Sequence, residues 1–167
     1  MISPIRILAL VAIATSITLT GCASRIPKPT TDATLTHQHA VPVNFHANSG
    51  VFGTTLPSSD LEQSIAKSIT ATKLFTAVNP DAKVELTVEL KQWEWDTFGI
   101  NFNGKATTLW TVEADGKTQA KEFSGEAQKG FGDAMMAENR SRLVGASALE
   151  ASIKQGIEWV STLPLDK

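Results

Sequence analysis

The sequence of 167 residues predicts an α+β fold, a two-layer sandwich in which a mainly antiparallel sheet of about four strands packs against two helices. Two segments carry apolar residues at helical spacing, and the segments around them alternate apolar with polar residues. Their order is strand, helix, three-stranded meander and helix. This order packs most naturally as a single sheet covered by helices.

The first two elements are predicted between residues 41 and 75. Residues 41–46 alternate as in a short strand, and Pro42 places this strand at an edge or at its start. A Gly/Ser/Asn loop is expected over 47–55. Ser59 and Glu62 form a capping box that starts a helix ending near Phe75. The apolar stripe of this helix consists of Leu61, Ile65, Ile69 and Thr72.

Residues 82–90 predict a half-buried strand, because apolar and polar residues alternate without a break. The alternation changes phase after Leu90, where the next large apolar residues are Trp93 and Trp95. A bulge near 91–92 would return both tryptophans to the core. Without a bulge, they lie on the opposite face of the sheet.

Two dipeptides predict the turns of the meander. Asn103-Gly104 is a strong two-residue hairpin signal, and Asp115-Gly116 is a second one. The segment between them, 105–114, is predicted to return as a strand through Leu109, Trp110 and Val112. The following strand, 117–128, is more polar and is expected at an exposed edge.

A second helix is predicted from a cap at Asp133 to residues 163–164. Gly145 and Gly156 lie on its apolar stripe, which indicates either close approach to the sheet or tolerated defects of about 1 kcal/mol each. Spacing of four residues also predicts two ion pairs, Glu138 with Arg142 and Glu150 with Lys154.

The composition excludes some classes of function. The 15 basic and 17 acidic residues give a net charge of −2, so no basic face suggests nucleic acid as a partner. The single cysteine cannot form an internal disulfide. Downstream of the amino terminus, no long apolar run predicts a membrane-spanning helix.

The amino terminus predicts a signal peptide over residues 1–21. Its apolar run, 7–19, is shorter than the roughly 20 residues that span a bilayer. Leu19-Thr20-Gly21-Cys22 resembles the lipobox of bacterial lipoproteins at every position. This resemblance implies cleavage after Gly21 and lipid on Cys22. A secretory signal with an incidental cysteine is the alternative, since Gly21 and Ala23 also suit that cleavage.

The lipobox resemblance also implies a location and a domain organisation. Aspartate in the position of Ala23 would favour retention in the inner membrane, so we expect an anchor in the outer membrane that faces the periplasm. Residues 22–40 lack periodicity and are rich in threonine, which predicts a flexible tether. Residues 41–167 then form a single domain.

Three motifs resemble ligand or catalytic sites without the context that such sites need. Residues 99–106 look like a phosphate loop, but Ala106 replaces the magnesium-binding hydroxyl and a β-rich segment follows. His37 and His39 could chelate a metal, yet they lie in the predicted tether and are expected to be solvated. Glu94 and Asp96 are typical of a wet strand face. The sequence therefore predicts no catalytic residue, metal ligand or cofactor.

One segment combines five large apolar residues within ten positions. They are either core residues or an aromatic surface that contacts a protein, peptidoglycan or lipid. This candidate interaction surface consists of Trp93, Trp95, Phe98, Ile100 and Phe102.

The segment Lys73-Leu74-Phe75 with Val78, the strand over 84–90 and the helical Ala148-Leu149-Glu150-Ala151 carry a distant resemblance to small α/β outer-membrane lipoproteins. These include the YajG type and the activators of penicillin-binding proteins. The resemblance implies a non-enzymatic envelope role, with strand and helix surfaces that bind protein partners. The alternative expectation is a carrier or sensor of an apolar ligand, held near Trp93, Trp95 and Trp110.

Overall fold

A computed structural model of the chain describes residues 26–51, 56–96 and 99–165. A four-stranded mixed sheet and two helices confirm the predicted α+β fold class. The strands are β1 (Val43–Ser49), β2 (Val84–Trp95), β3 (Phe102–Ala114) and β4 (Lys117–Lys129), and the helices are α1 (Ser58–Thr72) and α2 (Ala137–Val160).

The strands lie in the order β1-β2-β3-β4. β1 and β2 are parallel and are joined through α1, whereas β2, β3 and β4 form the predicted antiparallel meander. β4 is an edge strand, and residues 117–122 are all exposed, as its polar sequence predicted. β1 extends to Ser49, into residues predicted as loop.

Of the two alternatives for β2, the bulge near 91–92 is confirmed. Leu90 pairs with Thr108 and Gln92 pairs with Thr107, so Lys91 is the extra residue. An extra residue reverses the side-chain alternation of the strand. Trp93 is therefore buried on the face that the helices cover.

The two predicted turns have opposite outcomes. Asp115 and Gly116 form the tight β3–β4 turn, with φ angles of 51° and 72°. The turn predicted at Asn103-Gly104 is wrong, because both residues lie inside β3. Gly104 serves close packing instead: a Cβ atom there would lie 2.9 Å from the carbonyl oxygen of Val144.

The predicted helix caps are also wrong in position. α1 follows Pro57, and no side chain caps it, so Ser59 belongs to the first turn. α2 begins at Ala137, four residues after Asp133. The Asp133 carboxylate instead accepts a hydrogen bond from the backbone N–H of Gly130 at 2.9 Å, which closes the turn after β4.

Glycine residues let α2 approach the sheet closely, as one of the two sequence interpretations expected. A Cβ atom at Gly156 would collide with the indole of Trp110, and one at Gly145 would lie 3.0 Å from the ring of Trp95. The Trp93 indole N–H donates to the carbonyl oxygen of Gly145 at 2.8 Å. The helix backbone therefore contacts the tryptophans directly.

The core lies between the sheet and the two helices. The predicted α1 stripe is confirmed for its three apolar residues, which are fully buried. Within the described residues, no helix has the length and apolar character needed to cross a membrane. The principal buried side chains are Leu61, Ile65, Ile69, Leu86, Val88, Leu90, Trp110, Leu149, Ile153 and Ile157.

We expect Gly125→Ala to destabilise the domain strongly. A methyl group at this position in β4 would collide with the Ala148 carbonyl oxygen of α2, and backbone cannot move aside as a flexible side chain can. Overpacking of this kind costs about 1 to 3 kcal/mol. Urea denaturation followed by circular dichroism measures the change. Gly132→Ala is the control, because nothing lies within 4 Å of its added methyl group. Equal stability of the two variants would contradict the close helix–sheet contact.

Candidate functional site

Residues 26–40, which we call the strap, lie along both helices rather than apart from the domain as a tether. The Ser64 hydroxyl of α1 donates to the Pro27 carbonyl oxygen at 2.8 Å. The backbone N–H of Thr30 donates to the Ser68 hydroxyl at 2.9 Å, and Thr30 itself is buried. Serine hydroxyls thus bind a segment whose sequence has no periodicity.

The far end of the strap is fixed by His39, which is only 2% exposed. Its backbone N–H donates to the Leu74 carbonyl oxygen at 2.8 Å, and its ring packs 5.0 Å from the Phe75 ring centroid. Nε2 lies 3.0 Å from the Val160 carbonyl oxygen, so this nitrogen carries the proton. The expectation of a solvated histidine is therefore wrong for His39, whereas His37 is exposed.

Charged side chains hold the middle of the strap. The Lys154 ammonium lies 2.8 Å from the Asp32 carboxylate. This hydrogen bond lowers the pKa of Asp32 and raises the pKa of Lys154. Glu150 accepts the backbone N–H of Lys28 at 2.7 Å. The predicted Glu150–Lys154 pair is consequently wrong, because the strap binds both residues.

The candidate interaction surface predicted from the aromatic segment divides between core and solvent. Trp93 and Phe102 are buried. Trp95 is half-buried, and its ring centroid lies 5.0 Å from that of Trp93 in an edge-on contact. Ile100 is exposed, and Phe98 lies outside the described residues. Two of the five residues therefore belong to the core.

Ile100 lies at the same end of the molecule as three apolar residues that sequence reasoning missed. β3 and β4 pair from Phe102 and Lys129 onwards, which places the segment before β3 beside the segment after β4. A Cβ atom at Gly130 would lie 2.8 Å from the side-chain oxygen of Asn101, which shows this proximity. We call the four residues the apolar end: Ile100 (67% exposed), Phe131 (58%), Met135 (87%) and Met136 (69%).

A buried arginine organises the apolar end. Arg140, in the first turns of α2, is 4% exposed, and its guanidinium carbon lies 4.2 Å from the ring centroid of Phe131 and 5.0 Å from that of Phe102. Nη1 donates to the carbonyl oxygens of Ala134 and Met135 at 3.1 and 3.2 Å. Arg140 thus holds the loop whose apolar side chains face solvent.

Arg140 also differs from its neighbours in its electrostatics. The predicted pair of Arg142 with Glu138 is confirmed, and Lys129 pairs with Asp133 at 3.4 Å. In residues 26–51, 56–96 and 99–165, no carboxylate forms an ion pair with Arg140. The apolar end therefore encloses a cation that carbonyl oxygens and aromatic rings stabilise.

Around Trp110, the space expected to hold an apolar ligand is filled by protein, whereas Trp95 lines an open cleft of about 460 Å³ together with Glu94 and Lys105. Trp110 is fully buried, and its indole packs directly on Gly156. An open cleft of about 570 Å³ lies elsewhere, beside His39 and Phe75. Within the described ranges, no group of three or more histidine, cysteine, aspartate or glutamate residues could hold a metal ion.

Comparison with known proteins identifies the fold but no family. No family model matches the sequence, and no curated protein matches it. The chain is similar to PelC from Paraburkholderia phytofirmans, solved as a dodecamer, with 12% identity and a TM-score of 0.51 over 77% of this chain and 93% of that chain. A DUF330 protein from Xanthomonas campestris gives 12% identity and a TM-score of 0.48, over 83% and 90%.

We expect Arg140→Lys to destabilise the apolar end, because lysine cannot reproduce the planar contacts of a guanidinium with two rings and two carbonyl oxygens. The expected loss is about 1 to 3 kcal/mol, the cost of leaving buried polar groups unpaired. Urea denaturation of Arg140→Lys and of the control Arg142→Lys measures this loss. The control changes only the surface ion pair of Arg142 with Glu138, which is worth at most about 1 kcal/mol. A loss no larger than in the control would contradict the role of Arg140.

Proposed function

We propose that this chain is a non-catalytic bacterial lipoprotein, anchored through Cys22 in the outer membrane on its periplasmic face, that binds another protein of the cell envelope. The observation that carries the proposal is the sequence Leu19-Thr20-Gly21-Cys22, which includes the only cysteine of the chain. These residues lie outside the described part of the structure. Ala23 favours the outer membrane by the same resemblance.

The lipid on Cys22 would make membrane attachment stable. One acyl chain binds a membrane with an association constant of only about 10⁴ M⁻¹, and each buried methylene adds about 0.8 kcal/mol. Several chains on one residue therefore make dissociation negligible. The domain itself needs no membrane-spanning element for this role.

The docked strap supports a position close to the membrane. The strap is already hydrogen-bonded to α1 at Pro27, five residues after Cys22. Five extended residues reach about 17 Å. The domain is therefore held near the bilayer surface, instead of standing off on the long tether that the sequence predicted.

The uncovered face of the sheet is the surface that we assign to the protein partner. The helices cover the other face. The outward residues of β2, β3 and β4 are a mixture of acidic, basic and uncharged side chains. A surface of mixed charged, polar and apolar side chains is typical of non-obligate protein interfaces. The outward residues include Glu85, Thr87, Glu89, Lys105, Thr107, Leu109, Thr111 and Glu122.

We expect Cys22→Ser to abolish lipidation, because serine lacks the sulfur that accepts the lipid. Metabolic labelling with a clickable palmitate analogue, followed by fractionation, measures incorporation and membrane association together. Ala23→Ser leaves the cysteine in place and should label as the native chain does. A native chain without label, or a Cys22→Ser chain that remains in the membrane fraction to the same extent, would contradict the anchor.

We expect a photo-crosslinking residue at Thr111, on the uncovered sheet face, to capture one protein of defined mass in living cells. The same residue at Gln63, which is exposed on α1, is the matched control and should capture none. Thr87→Glu should weaken the product, because it adds a charge directly opposite Thr111 on the neighbouring strand β2. Products of equal yield from both positions would contradict a partner on the sheet face.

A further inference from the structure

We propose that the apolar end inserts into the same lipid surface that holds the lipid on Cys22, so that the domain has two membrane contacts and a fixed orientation. This inference rests on the proposed anchoring through Cys22. It adds a second contact, made by the four exposed apolar side chains around Arg140.

The direction of the strap supports this placement. Three strap amides donate to successive positions along α2: Lys28 to Glu150 at 2.7 Å, Thr34 to Glu158 at 3.0 Å and Thr36 to the Ser161 hydroxyl at 2.9 Å. The strap is therefore parallel to α2. Followed backwards from Lys28, it leads towards the first turn of α2, where the apolar end lies.

The distances allow the lipid and the apolar end to meet one surface. Glu150 lies 13 residues after Ala137, the first residue of α2, which is about 20 Å at 1.5 Å per residue. Cys22 lies six residues before Lys28, and six extended residues also reach about 20 Å. A lipid on Cys22 can therefore reach the level of the apolar end.

The chemistry of the apolar end suits the boundary between headgroups and acyl chains. Phenylalanine, isoleucine and methionine side chains gain free energy by burial about 5 to 10 Å into this boundary. The neighbouring charges Lys129 and Asp133 are paired with each other. Arg140 adds a positive charge with no carboxylate partner in the described residues, and anionic headgroups attract such a charge.

The opposite end of the sheet has a different character. The Asp115-Gly116 turn lies there, and the residues that follow it in β4 are exposed and mostly polar. Val78, which bridges to Val43 at the start of β1, is 42% exposed there, but no cluster of exposed large apolar side chains accompanies it among the described residues. An orientation with the apolar end in the membrane therefore leaves the β3–β4 turn in the aqueous phase.

The test uses the full lipoprotein with one added thiol. Met135→Cys, labelled with the environment-sensitive fluorophore NBD, reports from the apolar end, and Lys117→Cys reports from the opposite end. Each protein is reconstituted on vesicles of phosphatidylethanolamine and phosphatidylglycerol, with or without brominated acyl chains. We expect a blue-shifted emission at position 135 that brominated lipid quenches, and neither effect at position 117.

Three results would overturn the proposal, and they have separate causes. Emission at position 135 that is neither blue-shifted nor quenched by brominated lipid, on protein that floats with vesicles, shows that the apolar end stays in water and excludes insertion. A blue shift without quenching assigns the apolar end to a protein surface, such as a second copy of the chain. Uptake of label by the unsubstituted chain shows a free Cys22 thiol, so that the anchoring fails first and the insertion fails with it.

Discussion

The close contact between α2 and the sheet is the constraint on which the rest of the structure depends. It requires small residues on both sides: Gly104 and Gly125 in the strands, and Gly145 and Gly156 in the helix. The indole of Trp110 fills the remaining space beside Gly156, where even an added methyl group would collide with the ring. Because the backbone of α2 packs directly against a tryptophan ring and against the backbone of the strands, the helix has little freedom to shift.

The fixed position of α2 determines which of its residues reach the apolar end and which reach the strap. Its first turns carry Arg140 to the apolar end, where the guanidinium contacts the rings of Phe102 and Phe131. Its outer face presents Glu150 and Lys154 to the strap. The same helix thus sets the geometry of the core, of the exposed apolar residues and of the segment that follows Cys22.

Alternation in β2, the α1 stripe and the Asp115-Gly116 turn were predictable, because each depends on residues close in sequence. Asn103-Gly104 was not, since its turn signal is overridden by Val144, which packs on Gly104 from a distant part of the chain. The docking of the strap onto the helices was not predictable for a similar reason. It is held by hydrogen bonds between its backbone and the side chains of Ser64, Ser68 and Glu150, and these leave no periodic pattern in the strap itself.

The apolar end shows a further limit of sequence patterns. Ile100 and Phe102 are two residues apart in one aromatic segment, yet Phe102 is buried and Ile100 is exposed, because β3 begins at Phe102. Phe131 also stays near the surface, with the Arg140 guanidinium packed against its ring. Exposed apolar side chains grouped in this way are typical of surfaces that contact a protein or a membrane.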